Sequence, residues 1–184
     1  MMQIPTTVKL TFFTLALLGS FYAHAQADST KCYYPTREVD EFTGDLRVVT
    51  VAFLDTQEQS EVMGITMPSN SFIVHFRRVG NSYFIDFEMI NISSTFGLED
   101  RVMLKLDNDH VVTCQNLTFA SSITGPPKLE FTVSITRPDL EMLVSNRILK
   151  LRMTHGNSKY TDFNLDPKND GMVKNAVACL LRAN

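Results

Sequence analysis

The chain reads as an α+β protein, a twisted antiparallel β-sheet of about 6–8 strands with one short helix and a C-terminal helix packed on it. Short runs between turn-forming residues alternate apolar and polar side chains, as half-buried strands do. That alternation gives way to helical spacing after Thr136, and the final segment gathers its apolar residues on one helical stripe.

The first segment lies outside this fold. Lys9 precedes an apolar run at residues 10–18 (LTFFTLALL), then Gly19 and Ser20, then small residues at Ala23 and Ala25. This is the anatomy of a secretory signal peptide cut between Ala25 and Gln26, with Ala25-Gln26-Ala27 as a second site. The apolar run is about half of the roughly 20 residues needed to span a bilayer. Residues 1–25 are therefore expected to be removed, leaving 26–184 as a single secreted or periplasmic α+β domain without a membrane span.

Strand signals begin at residues 46–54 (LRVVTVAFL), rich in β-branched residues and preceded by the turn formers Thr43-Gly44-Asp45. Residues 71–78 and 82–90 form a hairpin about Gly80-Asn81, where glycine supplies positive φ. A two-residue loop sets Phe72 against Met89, Val74 against Phe87 and Phe76 against Ile85. The opposite face then pairs Ile73 with Glu88, His75 with Asp86 and Arg77 with Phe84. A second hairpin joins residues 102–106 to 111–115 through Asp107-Asn108-Asp109-His110, and residues 129–135 add another strand.

At Thr136-Arg137-Pro138-Asp139 a capping hydroxyl, an early proline and an acid three residues after the cap start a short helix carrying Leu140, Leu143 and Val144. It ends near Ser145-Asn146. Residues 147–153 and 159–165 form a third hairpin. A three-residue loop centred on Asn157 keeps its apolar faces together, with Leu149 against Leu165 and Leu151 against Phe163. The same register places Arg152 opposite Asp162. From about Asp170, residues 171–181 put Met172, Val173, Ala176, Val177, Leu180 and Leu181 on one side of a helix. The surface available to bury that stripe is the hairpin face of Phe72, Val74, Phe76, Ile85 and Phe87.

At residues 40–45 (DEFTGD) and 140–153 (LEMLVSNRILKLRM) the chain resembles small secreted proteins of Bacteroidota-type bacteria, which have a capped short helix with spaced leucines followed by an Ile-x-x-x-Arg strand. The resemblance covers about a third of the mature chain. It implies an exported protein and assigns no catalytic residue.

Charge excludes some partners. With 17 Lys and Arg against 20 Asp and Glu the net charge is −3, and losing Lys9 makes the mature chain slightly more acidic. Nucleic-acid binding is not expected, because it draws on concentrated Lys and Arg. The three cysteines, Cys32, Cys114 and Cys179, enter a compartment where disulfides form, and their odd number leaves at least one thiol unpaired. Spacing does not choose among the pairings. Cys114 with Cys179 is preferred because it ties a central strand to the last helix, with three buried thiols as the alternative.

The candidate reactive cluster is His75, Asp86 and Glu88, with Arg77, on one hairpin face. A carboxylate opposite an imidazole can orient it as a general base, although opposed charges on a wet sheet face are also routine cross-strand pairing. No metal or cofactor is expected: His75, His110 and His155 fall in separate segments, and Asp107 and Asp109 read as turn residues rather than calcium ligands. Asn91-Ile-Ser93 and Asn116-Leu-Thr118 match the glycosylation acceptor pattern, and residues 121–128 form a polar, proline-marked loop.

Three functions follow. By elimination the first is a non-catalytic module that binds a protein, glycan or envelope component through its sheet face or loops. The second is a carrier of an apolar ligand, suggested by 13 Phe and the many Met, which core packing also explains. The third is a hydrolase using His75 and Asp86.

Overall fold

Thirteen strands and two helices follow one another in the computed structural model, which describes residues 32–62, 65–90, 95–121, 128–155 and 159–183. The signal peptide and its Ala25/Gln26 cleavage site, the Asn91 acceptor pattern, most of the loop at 121–128 and the turn at Asn157 lie outside these residues. The strands are β1 (Thr36–Val39), β2 (Leu46–Asp55), β3 (Gln59–Val62), β4 (Ile65–Pro68), β5 (Ser71–Val79), β6 (Ser82–Ile90), β7 (Thr95–Phe96), β8 (Arg101–Leu106), β9 (Val111–Asn116), β10 (Ala120–Ser121) and β11 (Lys128–Ile135). Helix α1 (Arg137–Ser145), β12 (Ile148–His155), β13 (Lys159–Asn164) and α2 (Asp170–Arg182) complete the chain, with a short 3-10 turn at Pro167–Asn169.

Nine strands form the main antiparallel sheet, in the order β1-β2-β5-β6-β11-β9-β8-β12-β13. This exceeds the 6–8 expected. Strands β3 with β4, and β7 with β10, form separate two-stranded ribbons. Edge strand β1 carries no sequence signal because it is short and exposed along most of its length, so burial imposes no alternation on it.

The hairpins adopt the expected registers. Phe72 faces Met89, His75 faces Asp86 and Arg77 faces Phe84 across β5 and β6. Leu151 faces Phe163 and Arg152 faces Asp162 across β12 and β13. Gly80 turns the first hairpin with φ +57°, a conformation that L side chains rarely adopt. At α1, Asp139 N–H donates to the Thr136 hydroxyl, and Pro138 lies in the first turn.

One face of the sheet is apolar across its central strands. Val48, Leu54, Phe72, Phe76, Ile85, Met89, Leu104, Leu129 and Met153 belong to one buried cluster. Helix α2 lies over β2 and β5 and packs on α1, adding Val173, Ala176, Val177 and Leu180, while α1 adds Leu140 and Leu143. Each Val, Leu, Ile, Phe or Met side chain in this cluster stabilises the fold by roughly 1.5–3 kcal/mol when fully buried. Met172, expected on the apolar stripe, is 43% exposed: at about 100° per residue it falls at the margin of the stripe centred on Val173, Ala176, Val177 and Leu180.

Two polar bonds fix α2 over the sheet. The Thr50 hydroxyl donates to Ala176 O at 2.9 Å, and Arg78 Nη1 donates to Ala183 O at 2.6 Å. The sheet also curls on itself. Thr56 bridges Leu165, and Phe72 meets Phe163 edge-on with ring centroids 5.2 Å apart. This contact joins the end of β2 to the chain just after β13 without closing a barrel. Among the described residues no helix is long and apolar enough to cross a membrane.

The disulfide joins Cys32 to Cys179, correcting the expected Cys114–Cys179 pair. Cys114 is free and buried on the inner side of β9. Cys179 lies in the helix over β2, and the Tyr34 hydroxyl donates to Cys179 O at 3.0 Å, so the segment after Cys32 is already fastened to this helix.

Candidate functional site

The sheet's other face carries no covering element among the described residues, and alternation sends the charged and polar side chains to it. On β5 these are His75 and Arg77, on β6 Asp86 and Glu88 beside the Phe84 ring, and on β11 Glu130 and Thr132. His75, Asp86, Glu88, Glu130, Thr132 and Thr118 line a shallow cleft of about 390 Å3. The three predicted residues His75, Asp86 and Glu88 therefore come together.

Their chemistry is set by the neighbours. Asp86 accepts from Arg77 Nε at 2.8 Å and Nη2 at 3.0 Å, and from the Thr132 hydroxyl at 2.7 Å. Burial pushes the Asp86 carboxyl up, but the bonds from Arg77 and Thr132, with the charges of Arg77 and His75, hold it below the ordinary value. Arg77 also lies over the Phe84 ring, 4.6 Å from its centroid. Among the described residues no hydrogen bond joins His75 to Asp86. The carboxylate is a structural anchor for the guanidinium, and it does not orient the imidazole as a base would require.

Glu88 and Glu130 are directly opposed across β6 and β11, a like-charge pair that Lys128 bridges. Its ammonium lies 3.0 Å from Glu88 Oε1 and also binds Glu130. Hydrogen bonds to Glu130 and then Glu88 raise the Lys128 pKa. Sequence reading missed Glu130, Thr132 and Lys128, because the adjacency of β11 to β6 is set by long-range pairing and has no local signal.

The remaining candidates resolve as structure. Asp107 Oδ1 accepts from Arg147 N–H and Asn108 Oδ1 from His110 N–H, so this acidic loop is a turn, with Asp109 at φ 63°. Among the described residues no group of three His, Cys, Asp or Glu could hold a metal ion. The Asn116 side chain is buried, and its amide donates to Gly97 O and Thr118 O, both at 2.6 Å. In the folded protein it has no room for a glycan. The Cys114 thiol is pushed up to about 12 by burial, with the charge of Asp139 adding to the shift, which suppresses the nucleophilic thiolate.

The outer face continues onto β8 and β12 with Arg101, Met103, Lys105, Lys150 and Arg152. No local pattern marked these as a group, since β8 and β12 belong to different hairpins. The chain matches no protein family, no curated protein and no solved structure.

Proposed function

We propose that this chain is an exported, non-catalytic binding module whose outer sheet face engages a protein, glycan or envelope component. The leader directs it out of the cytoplasm, and the Cys32–Cys179 disulfide suits the oxidising compartment it enters. One observation carries the reading: the inner face is filled by α1 and α2, whereas among the described residues no element covers the outer face, and Asp86 on it is committed to Arg77 and Thr132. An acid already held by a fixed cation positions side chains for recognition and is poorly placed for proton transfer.

The test is export of the full chain followed by intact-mass analysis and a retention assay on washed envelope from the same cells. The expected product begins at Gln26, carries one disulfide and is retained. Substituting outer-face residues, His75→Ala with Glu88→Gln or Lys105→Gln with Lys150→Gln, should weaken retention. Met172→Ala on the helix side should leave it unchanged. Uncut protein, or retention indifferent to every outer-face substitution, would refute the proposal.

A further inference from the structure

The geometry points to the basic half of the outer face, across β8, β12 and β13, as a docking strip for a linear anionic glycan, one bearing carboxylate or sulfate groups on its sugar rings. This deepens the binding-module reading and rests on it.

The first support is a cost that the fold does not explain. Lys105 and Lys150 are directly opposed on β8 and β12, and like charges in that position destabilise a sheet. Their relief is partial. Lys105 reaches Asp109 at 3.1 Å, but that carboxylate stands on an exposed turn. Lys150, at 3.6 Å, shares Asp162 with Arg152, which holds the same carboxylate through bonds of 2.6 and 2.8 Å. Arg101 and Lys159 make no ion pair among the described residues. Against the five cations stand Asp109, Asp162 and Glu99, so a chain with net charge −3 concentrates positive charge here.

The second support is shape. Two shallow depressions, of about 560 and 280 Å3, adjoin along the strip and share Met103 and Arg152. Lys150 and Arg152 lie two residues apart on one strand, roughly 7 Å, so the charges form a row along the strand rather than a pocket for one ion. Tyr160 is 59% exposed, and Arg152 lies 4.0 Å from its ring centroid. An exposed ring held flat by a guanidinium offers a stacking surface for a sugar face.

These features favour a glycan over other polyanions. The acids interleaved with the cations oppose a duplex, whose charge is dense and continuous. A membrane surface would call for inserted apolar side chains, and within the strip Met103 and Val111 are the apolar residues that line the depressions.

The mature, disulfide-bonded protein is titrated with polygalacturonate oligomers, with the same oligomers reduced to the neutral sugar, and with duplex DNA. The acidic oligomer should bind and weaken as salt rises, and the neutral one should not bind. Lys105→Gln with Lys150→Gln should lower affinity about tenfold or more. Tyr160→Ala should lower it several-fold while keeping the salt dependence. The paired lysine substitution removes a repulsion, so the melting temperature should hold; if it falls, Arg101→Gln gives an independent removal of charge and should also weaken binding. Equal binding of the neutral oligomer, a preference for DNA, or unchanged affinity in the lysine and arginine variants overturns the inference. Envelope retention lost only in His75→Ala with Glu88→Gln, with the strip variants retained, would overturn this inference while leaving the wider reading standing.

Discussion

Arg77 and Asp86 lock together across the β5–β6 hairpin by two parallel hydrogen bonds of 2.8 and 3.0 Å, and Thr132 on the next strand completes the grip. The carboxyl is held below its ordinary value in the folded protein, so it binds its proton less readily there than in the unfolded chain. Its contribution to stability is therefore present above the unfolded carboxyl pKa and is lost as pH falls through the lower folded value. Asp86→Asn should cost roughly 1 kcal/mol at neutral pH, since both partners are partly exposed and screened. It should also flatten the loss of stability below about pH 4. Urea titrations at neutral and acid pH check both expectations.

The disulfide and the free thiol should behave oppositely. Reducing Cys32–Cys179, or substituting Cys179→Ala, should destabilise the fold by about 2–5 kcal/mol, because the bridge closes most of the chain into one loop. Cys114, buried and pushed up to about 12, should resist alkylation in the native state and react as a single thiol after denaturation. Mass spectrometry with alkylation before and after unfolding measures this.

Two glycines should respond with opposite sign. A Cβ at Gly80 would lie 2.7 Å from Asp45 Oδ1 at a positive φ, so Gly80→Ala should cost about 1–2 kcal/mol. A Cβ at Gly171 meets open space in the first turn of α2, so Gly171→Ala should stabilise by up to about 1 kcal/mol. Paired thermal melts decide the sign of each.

Truncating the helix-to-sheet contact should be severe. Leu180→Ala and Leu143→Ala each empty a fully buried site in the common core and should cost about 2–5 kcal/mol in denaturant titrations.

The hairpins were legible because period-two alternation fixes register to the residue, so Phe72 with Met89 and Arg152 with Asp162 followed from pattern and loop length. The α1 cap was legible for a similar reason: Thr136, Pro138 and Asp139 carry their signal locally. The insertion of β11 between β6 and β9, and the meeting of β8 with β12, are non-local and leave no such trace. That is why Thr132 on Asp86 and Lys105 opposite Lys150 emerged only with the fold. The cysteine pairing failed on the same ground. Its determinants are long-range contacts, such as the Tyr34 hydroxyl on Cys179 O, that no local pattern marks.

The central proposal is that the sheet face left without a covering element among the described residues is the working surface. Hydroxyl-radical footprinting of the mature protein, free and bound to envelope material, tests it directly. Protection of Phe53, Phe84 and Tyr160 on the sheet face is expected, with Met172 on α2 unchanged. Protection of Met172 with the sheet-face aromatics oxidised as freely as before would contradict it.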